Sequence, residues 1–131
     1  LRLFNVFGER ARVGVVKIFL ERAREGKPLI IYGDGEAIRD FIYVGDVVEA
    51  LLRASGEGRA FGEVINIGSG KPVKIRELAE FISTLSGVKI EHVRGRSEEI
   101  LFSLADINKA KNLLNWTPKV ELFGWIKAQL K

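Results

Sequence analysis

Cysteine and methionine are absent from the chain, and there is a single histidine, His92. Without cysteine there can be no disulfide, thiolate metal site or cysteine nucleophile. One histidine cannot build a multi-histidine metal centre, and a histidine-dependent triad would rest on that residue alone. Glutamine occurs once, at Gln129, and proline three times. No apolar run reaches the ~18 residues of a membrane span, and no secretory leader is visible. The basic residues do not form a patch of one sign. They alternate with acids, as in Glu9-Arg10-Ala11-Arg12 and Glu21-Arg22-Ala23-Arg24-Glu25. A nucleic-acid binder would show a basic stripe, so solvated helix faces are the better reading.

What is present makes a core. Of 131 residues, 47% are hydrophobic and 29% charged, with a net charge of +4. Disorder is excluded on that balance. The length allows about one domain. Low glutamine with abundant Glu, Lys and Arg fits a thermophilic source, and the cytoplasm is the expected compartment. The chain opens on Leu1 to Phe7, apolar from the first residue and without the turn residues that introduce a strand. It is therefore expected to begin inside a longer fold.

Strand and helix patterns alternate, which predicts an α/β fold. Strands are expected at Leu1–Phe7, Leu29–Tyr32, Asp40–Val44, Val64–Ile67 and Val88–Val93. Helices are expected at Val13–Arg24, Val47–Ala54, Ile75–Ser86, from Asp106 to about Leu114, and at Leu122–Leu130. Asp46, with Glu49 three residues on, has the pattern of a capping box. Gly87 and Asn115 read as left-handed terminators.

Gly68-Ser69-Gly70 follows a strand and precedes a helix, close to a dinucleotide-binding turn. The third glycine position is Val73, and Pro72 delays the helix, so a plain connecting turn is the stronger reading. A phosphate-binding P-loop is excluded because Pro72 follows Lys71. Neither tyrosine has a lysine four residues on: Tyr32 is followed there by Glu36, and Tyr43 by Val47.

Read in order, "LRLFNVFG", "GKPLIIYGDGEAIRDFIYVGDVVEALLRA", "EVINIGSGKPVKIRELAEFI" and "ILFSLADINKAKNLLNWTPKVEL" resemble the C-terminal part of the extended short-chain dehydrogenase family. The nearest likeness is to NAD-dependent nucleotide-sugar epimerases and dehydratases of UDP-glucose 4-epimerase type. The resemblance implies the last strands of a Rossmann-like parallel sheet plus a small substrate-binding lobe. The lobe that carries NAD and the tyrosine–lysine pair is expected to lie outside residues 1–131. The intact enzyme is expected to be a homodimer. These residues alone are expected to be inactive, and to fold poorly where Leu1–Phe7 and Val64–Ile67 present open edges.

The resemblance also assigns substrate-binding residues. Asn5 corresponds to the asparagine that reaches a nucleotide-sugar diphosphate, although such a residue could instead tie down a neighbouring loop. Leu29, Ile30 and Tyr32 match the strand that lines the base pocket, where ordinary packing is an equal reading for the first two. Arg39 and Arg96 match two diphosphate-binding arginines, and a guanidinium fork suits that group. Phe41 would wall the same site. Val73 matches a residue lining the nucleotide site, and Lys74 stands where a helix-capping Ser or Thr is common. Glu99 stands where the family has an aspartate for the ribose hydroxyls, but Arg96-Ser97-Glu98-Glu99 departs from the usual Arg-x-Gly-Asp. No catalytic residue and no metal ligand is assigned. The implied ligand is a nucleotide-diphosphate sugar, a UDP-hexose, with NAD as cofactor. A nucleotide-sugar dehydratase, a decarboxylase and a stand-alone binding module are the competing readings.

Overall fold

A computed structural model describes residues Leu1–Lys131. The elements are β1 (Arg2–Leu3), β2 (Asn5–Phe7), α1 (Val15–Arg24), β3 (Leu29–Tyr32), β4 (Ile38–Arg39), β5 (Phe41–Tyr43), α2 (Val44–Ser55), β6 (Asn66–Ile67), β7 (Val73–Lys74), α3 (Ile75–Ser86), β8 (Ile90–Val93), α4 (Asn108–Leu114) and α5 (Leu122–Gln129). Three strand pairs are parallel, β1 with β6, β2 with β5 and β3 with β8. β4 and β7 pair antiparallel, with Arg39 opposite Val73. The expected α/β class with parallel pairing is the fold of this chain.

The first strand is not continuous. β1 lies on β6, and after Phe4 the chain moves to a new partner, β5. The amides record the switch: Phe4 N donates to Ile67 O at 3.0 Å, and Asn5 N to Asp40 O at 3.0 Å. Nor is the stretch buried on both faces, since Leu1, Leu3 and Val6 are 42%, 44% and 38% exposed. Asn5 is the first residue past this switch.

Successive residues of a strand face opposite sides, and β5 uses this to join two cores. Phe41 enters a cluster of 14 buried residues with Phe7, Phe19, Leu29, Leu78 and Ile126. Ile42 enters a second of 10, with Val47, Ile67, Leu114 and Trp116. Asn115 terminates α4 in the left-handed conformation and Gly87 terminates α3, as expected.

Three local expectations give way. Asp46 does not cap a helix, because α2 already begins at Val44. It is buried instead, and its Oδ2 accepts from Lys119 N and Val120 N, both at 3.0 Å. Trp116 Nε1 donates to the Asp46 carbonyl at 2.9 Å. Asp46 thus fastens the C-terminal segment to α2, while Glu49 pairs with Arg53 and Lys119. Asp106 accepts from Asn108 N in a turn just ahead of α4 rather than capping it from the Ncap position, which Ile107 occupies. α1 starts at Val15, after Gly14 takes a φ of 105°.

At the end of β2, Phe7, Tyr43 and Trp125 pack with ring centroids 5.0 to 6.4 Å apart. Glu9 joins them, accepting from Trp125 Nε1 at 3.0 Å and from Tyr43 Oη at 3.1 Å. The bond from Trp125 is the largest influence holding the Glu9 carboxyl below its ordinary value. Tyr43 is raised, first because its hydroxyl proton is held by Glu9. A carboxyl lowered by folding stabilises above the ordinary carboxylate range and loses that contribution as pH falls through the lowered value. Trp125 fluorescence is therefore expected to change in acid, below the ordinary carboxylate range. Glu9→Gln is expected to abolish that step; a step that persists in the variant assigns it to another group.

Candidate nucleotide-diphosphate site

The segment between β8 and residue 102 is strung over Arg39. At one end β8 lies in register with β3. At the other, Ile38 N donates to Leu101 O at 2.9 Å and Ser103 N to Ile38 O at 3.0 Å. Gly33, which takes a φ of 82°, lies against Gly95. His92 Nδ1 lies 2.8 Å from Gly33 O and fixes the same turn. Arg96 and Glu99 are carried on the span between these anchors.

A cavity of about 340 Å³ brings together Asn5, Ile30, Tyr32, Arg39, Arg96 and Glu99. Gly14, Val15, Ile18, Phe19, Gly35 and Ile75 complete its wall. A second hollow shares Tyr32, Arg39, Arg96 and Glu99 and extends over Ser97, Glu98 and Ile100. Arg39 is aimed by its own strand: Nη1 donates to Ile38 O at 2.9 Å. Nη2 lies 3.8 Å from Glu99 Oε1. Arg96 has no carboxylate partner; its guanidinium lies 4.2 Å above the Tyr32 ring. This cation–π contact holds the head group at the rim without neutralising it.

Asn5 does two things. Its Nδ2 donates to Asp40 O at 3.1 Å, so the amide does tie down the neighbouring strand. Its Oδ1 accepts no bond from the protein, and the residue lines the cavity. Ile30 and Tyr32 lie on the cavity side of β3, whereas Leu29 is fully buried on the other side with Ile31. Leu29 therefore presents no side-chain surface to this cavity. Phe41 and Val73 are likewise core residues, 5% and 7% exposed, and border a separate hollow of about 210 Å³ beside Pro118–Phe123. Val73 acts on Arg39 as its cross-strand neighbour. The sequence did not single out Gly14, Val15, Ile18, Phe19, Gly35 and Ile75 as cavity residues; the glycine ahead of an amphipathic helix was the available signal for the first two.

The turn Gly68-Ser69-Gly70 is closed from within. Ser69 N and Gly70 N donate to the Asp40 carboxylate at 2.6 and 2.9 Å. Ala105 N donates to it at 3.1 Å and Ser69 Oγ at 2.9 Å. A Cβ on Gly68 would come within 2.6 Å of Ala105 Cβ. The amides that would cradle a pyrophosphate are thus occupied, and the turn is structural. No group of three or more His, Cys, Asp and Glu side chains is arranged to hold a metal ion, and no helix is long and apolar enough to cross a membrane.

Comparison with known proteins agrees with this architecture. The profile of the NAD dependent epimerase/dehydratase family matches residues 1–68, and the chain belongs to that family. It is 38% identical over 133 residues to a putative UDP-glucose 4-epimerase of Methanocaldococcus jannaschii, covering 97% of this chain and 42% of that protein. A UDP-N-acetyl-alpha-D-glucosaminuronate decarboxylase of Bacillus cytotoxicus is 39% identical over 132 residues, covering 92% of this chain and 41% of the relative. The crystal structure of a UDP-glucose 4-epimerase with UDP-glucose from Thermotoga maritima superposes with a TM-score of 0.90 at 37% identity, covering 98% of this chain and 43% of that one. The chain thus spans less than half the length of the relatives it matches.

Proposed function

We propose that this chain is the nucleotide-sugar-binding part of an NAD-dependent sugar-nucleotide epimerase of UDP-glucose/UDP-galactose 4-epimerase type. The observation that carries the proposal is the convergence of Arg39, Arg96, Asn5 and Tyr32 on one cavity at the strand switch. Two guanidinium groups suit a diphosphate, because each offers a planar fork of donors. The free Oδ1 of Asn5 can accept from a hydroxyl of the same ligand. Ile30 and Tyr32 offer an apolar strand face and a ring for a base.

An epimerase must grip its substrate away from the carbon it inverts, so that the sugar can turn while the nucleotide stays fixed. Placing the binding energy on the diphosphate and base meets that need. NAD, when bound, supplies hydride acceptance and return. Because Asp40 closes the Gly68-Ser69-Gly70 turn, no residue of this chain is assigned to that cofactor. The decarboxylase reading is kept by the Bacillus cytotoxicus relative, whose identity to this chain is as high as that of the epimerase.

The test is product analysis on the intact gene product. Incubated with NAD and UDP-glucose, it is expected to yield UDP-galactose, read by proton NMR of the sugar. Carbon dioxide release from a UDP-uronic acid, with no inversion of UDP-glucose, would replace the epimerase by the decarboxylase.

A further inference from the structure

Arg96 carries the uncompensated charge of the candidate site. Glu98 and Glu99 follow it closely in the chain, yet neither pairs with it. Glu99 faces Arg39 at 3.8 Å, and the Arg96 guanidinium rests on the Tyr32 ring, 4.2 Å from its centroid. The fold sets this placement. Tyr32 ends β3 opposite Val93 of β8, Gly33 N donates to Val93 O at 2.9 Å, and Gly33 lies against Gly95. The chain leaving β8 therefore stays against the end of β3, and its next side chain, Arg96, falls over the ring. Tyr32 is 44% exposed, and the two hollows described above both have Tyr32 and Arg96 in their walls. The ring surface open to a base is thus shared with a guanidinium.

We infer that Arg96 is a phosphate-released cover for Tyr32: it holds the ring until a phosphate draws the guanidinium away, and only then does a base take its place. The inference rests on the diphosphate-binding reading above and adds a coupling between the two ends of the nucleotide. A guanidinium and a base both bind a phenol ring through its face, so they compete for it. A bare nucleoside must displace Arg96 without offering it a new partner. A nucleoside diphosphate displaces it and gives it a charge-assisted fork of hydrogen bonds, stronger than the exposed ring contact that is lost. A ligand shifts a conformational equilibrium only by its differential affinity for the two states. The phosphate supplies that difference and the base does not. Arg96 is therefore a specificity-determining residue, which selects phosphorylated nucleosides at the ring as well as at the phosphate.

NMR titration of the intact gene product measures the dissociation constants of uridine and of UDP, for wild type, Arg96→Ala, Tyr32→Ala and the double variant. Arg96→Ala is expected to bind uridine about threefold tighter, the scale of an exposed cation–π contact. It is expected to bind UDP about threefold weaker or more, the scale of one exposed charge pair. The opposite signs distinguish the cover from an arginine that only contacts phosphate, whose loss would leave uridine unchanged. The uridine gain is expected to vanish in the Tyr32→Ala background, because the ring that it frees is gone. Uridine binding that is unchanged or weaker in Arg96→Ala, or a gain that persists without Tyr32, overturns the cover and leaves the diphosphate reading standing. A folded wild-type protein that binds UDP no more tightly than uridine overturns the diphosphate reading itself, and this inference with it.

Discussion

Asp40→Ala is expected to destabilise the protein by about 4 kcal/mol or more, several times the change from an ordinary surface substitution. Asp40 is fully buried, and its two oxygens accept from three backbone amides and one hydroxyl at 2.6 to 3.1 Å. Alanine leaves Ser69 N, Gly70 N and the buried Ala105 N without their acceptor. Each orphaned buried donor costs roughly 1–3 kcal/mol. The damage also reaches the candidate site, because the Asp40 carbonyl accepts both the backbone and the side-chain N–H of Asn5. Asp40→Asn should fall between wild type and alanine, since one of its two ends donates where the protein needs an acceptor. Urea unfolding followed by circular dichroism checks both variants. A loss of under about 1 kcal/mol for alanine would mean that water replaces the carboxylate.

Arg39→Ala is expected to raise the Michaelis constant for a UDP-sugar and to reduce kcat/KM at least tenfold, about 1.4 kcal/mol or more in transition-state binding. Arg39 is only 17% exposed, is aimed by the Ile38 carbonyl, and sits opposite Val73 in the antiparallel pair. It loses little side-chain freedom when a ligand arrives. Arg39→Lys should recover only part of the loss, since an ammonium cannot copy the planar fork. Because the contact is with the non-reacting end of the substrate, kcat should change less than KM. Steady-state kinetics with UDP-glucose measure the split, and unchanged constants would remove Arg39 from the site. Arg96→Ala should have a smaller effect, because its guanidinium is at the rim on the Tyr32 ring.

How far these features could be read in the sequence depends on where their causes lie. α3 was readable to the residue, because its apolar stripe and the glycine at position 87 are local signals. Leu29–Tyr32 was equally clear as a short apolar strand. The break at Phe4 was not, since an apolar run does not say that a strand will change partners midway. Asp46 shows how a local pattern can mislead. Asp with Glu three residues on fits a capping box, but the carboxylate is claimed by amides at positions 119 and 120, more than 70 residues away in the chain.

The candidate site shows the same division. Asn5, Tyr32, Arg39 and Arg96 were identified by motif, and the fold gathers them. Leu29, Phe41 and Val73 belong to the same motifs, but their burial reflects strand alternation and cross-strand pairing. The Arg39–Glu99 pair joins residues 60 apart across a loop. No local pattern announces it.

Titration of the isotopically labelled intact gene product with UDP, followed by amide and arginine side-chain NMR, tests the central claim most directly. The predicted result is saturable shifts centred on Asn5, Tyr32, Arg39, Arg96 and Glu99, which line one cavity. Shifts confined to the other hollow, between Ser69–Val73 and Pro118–Phe123, or no saturable shifts at all, would contradict the account.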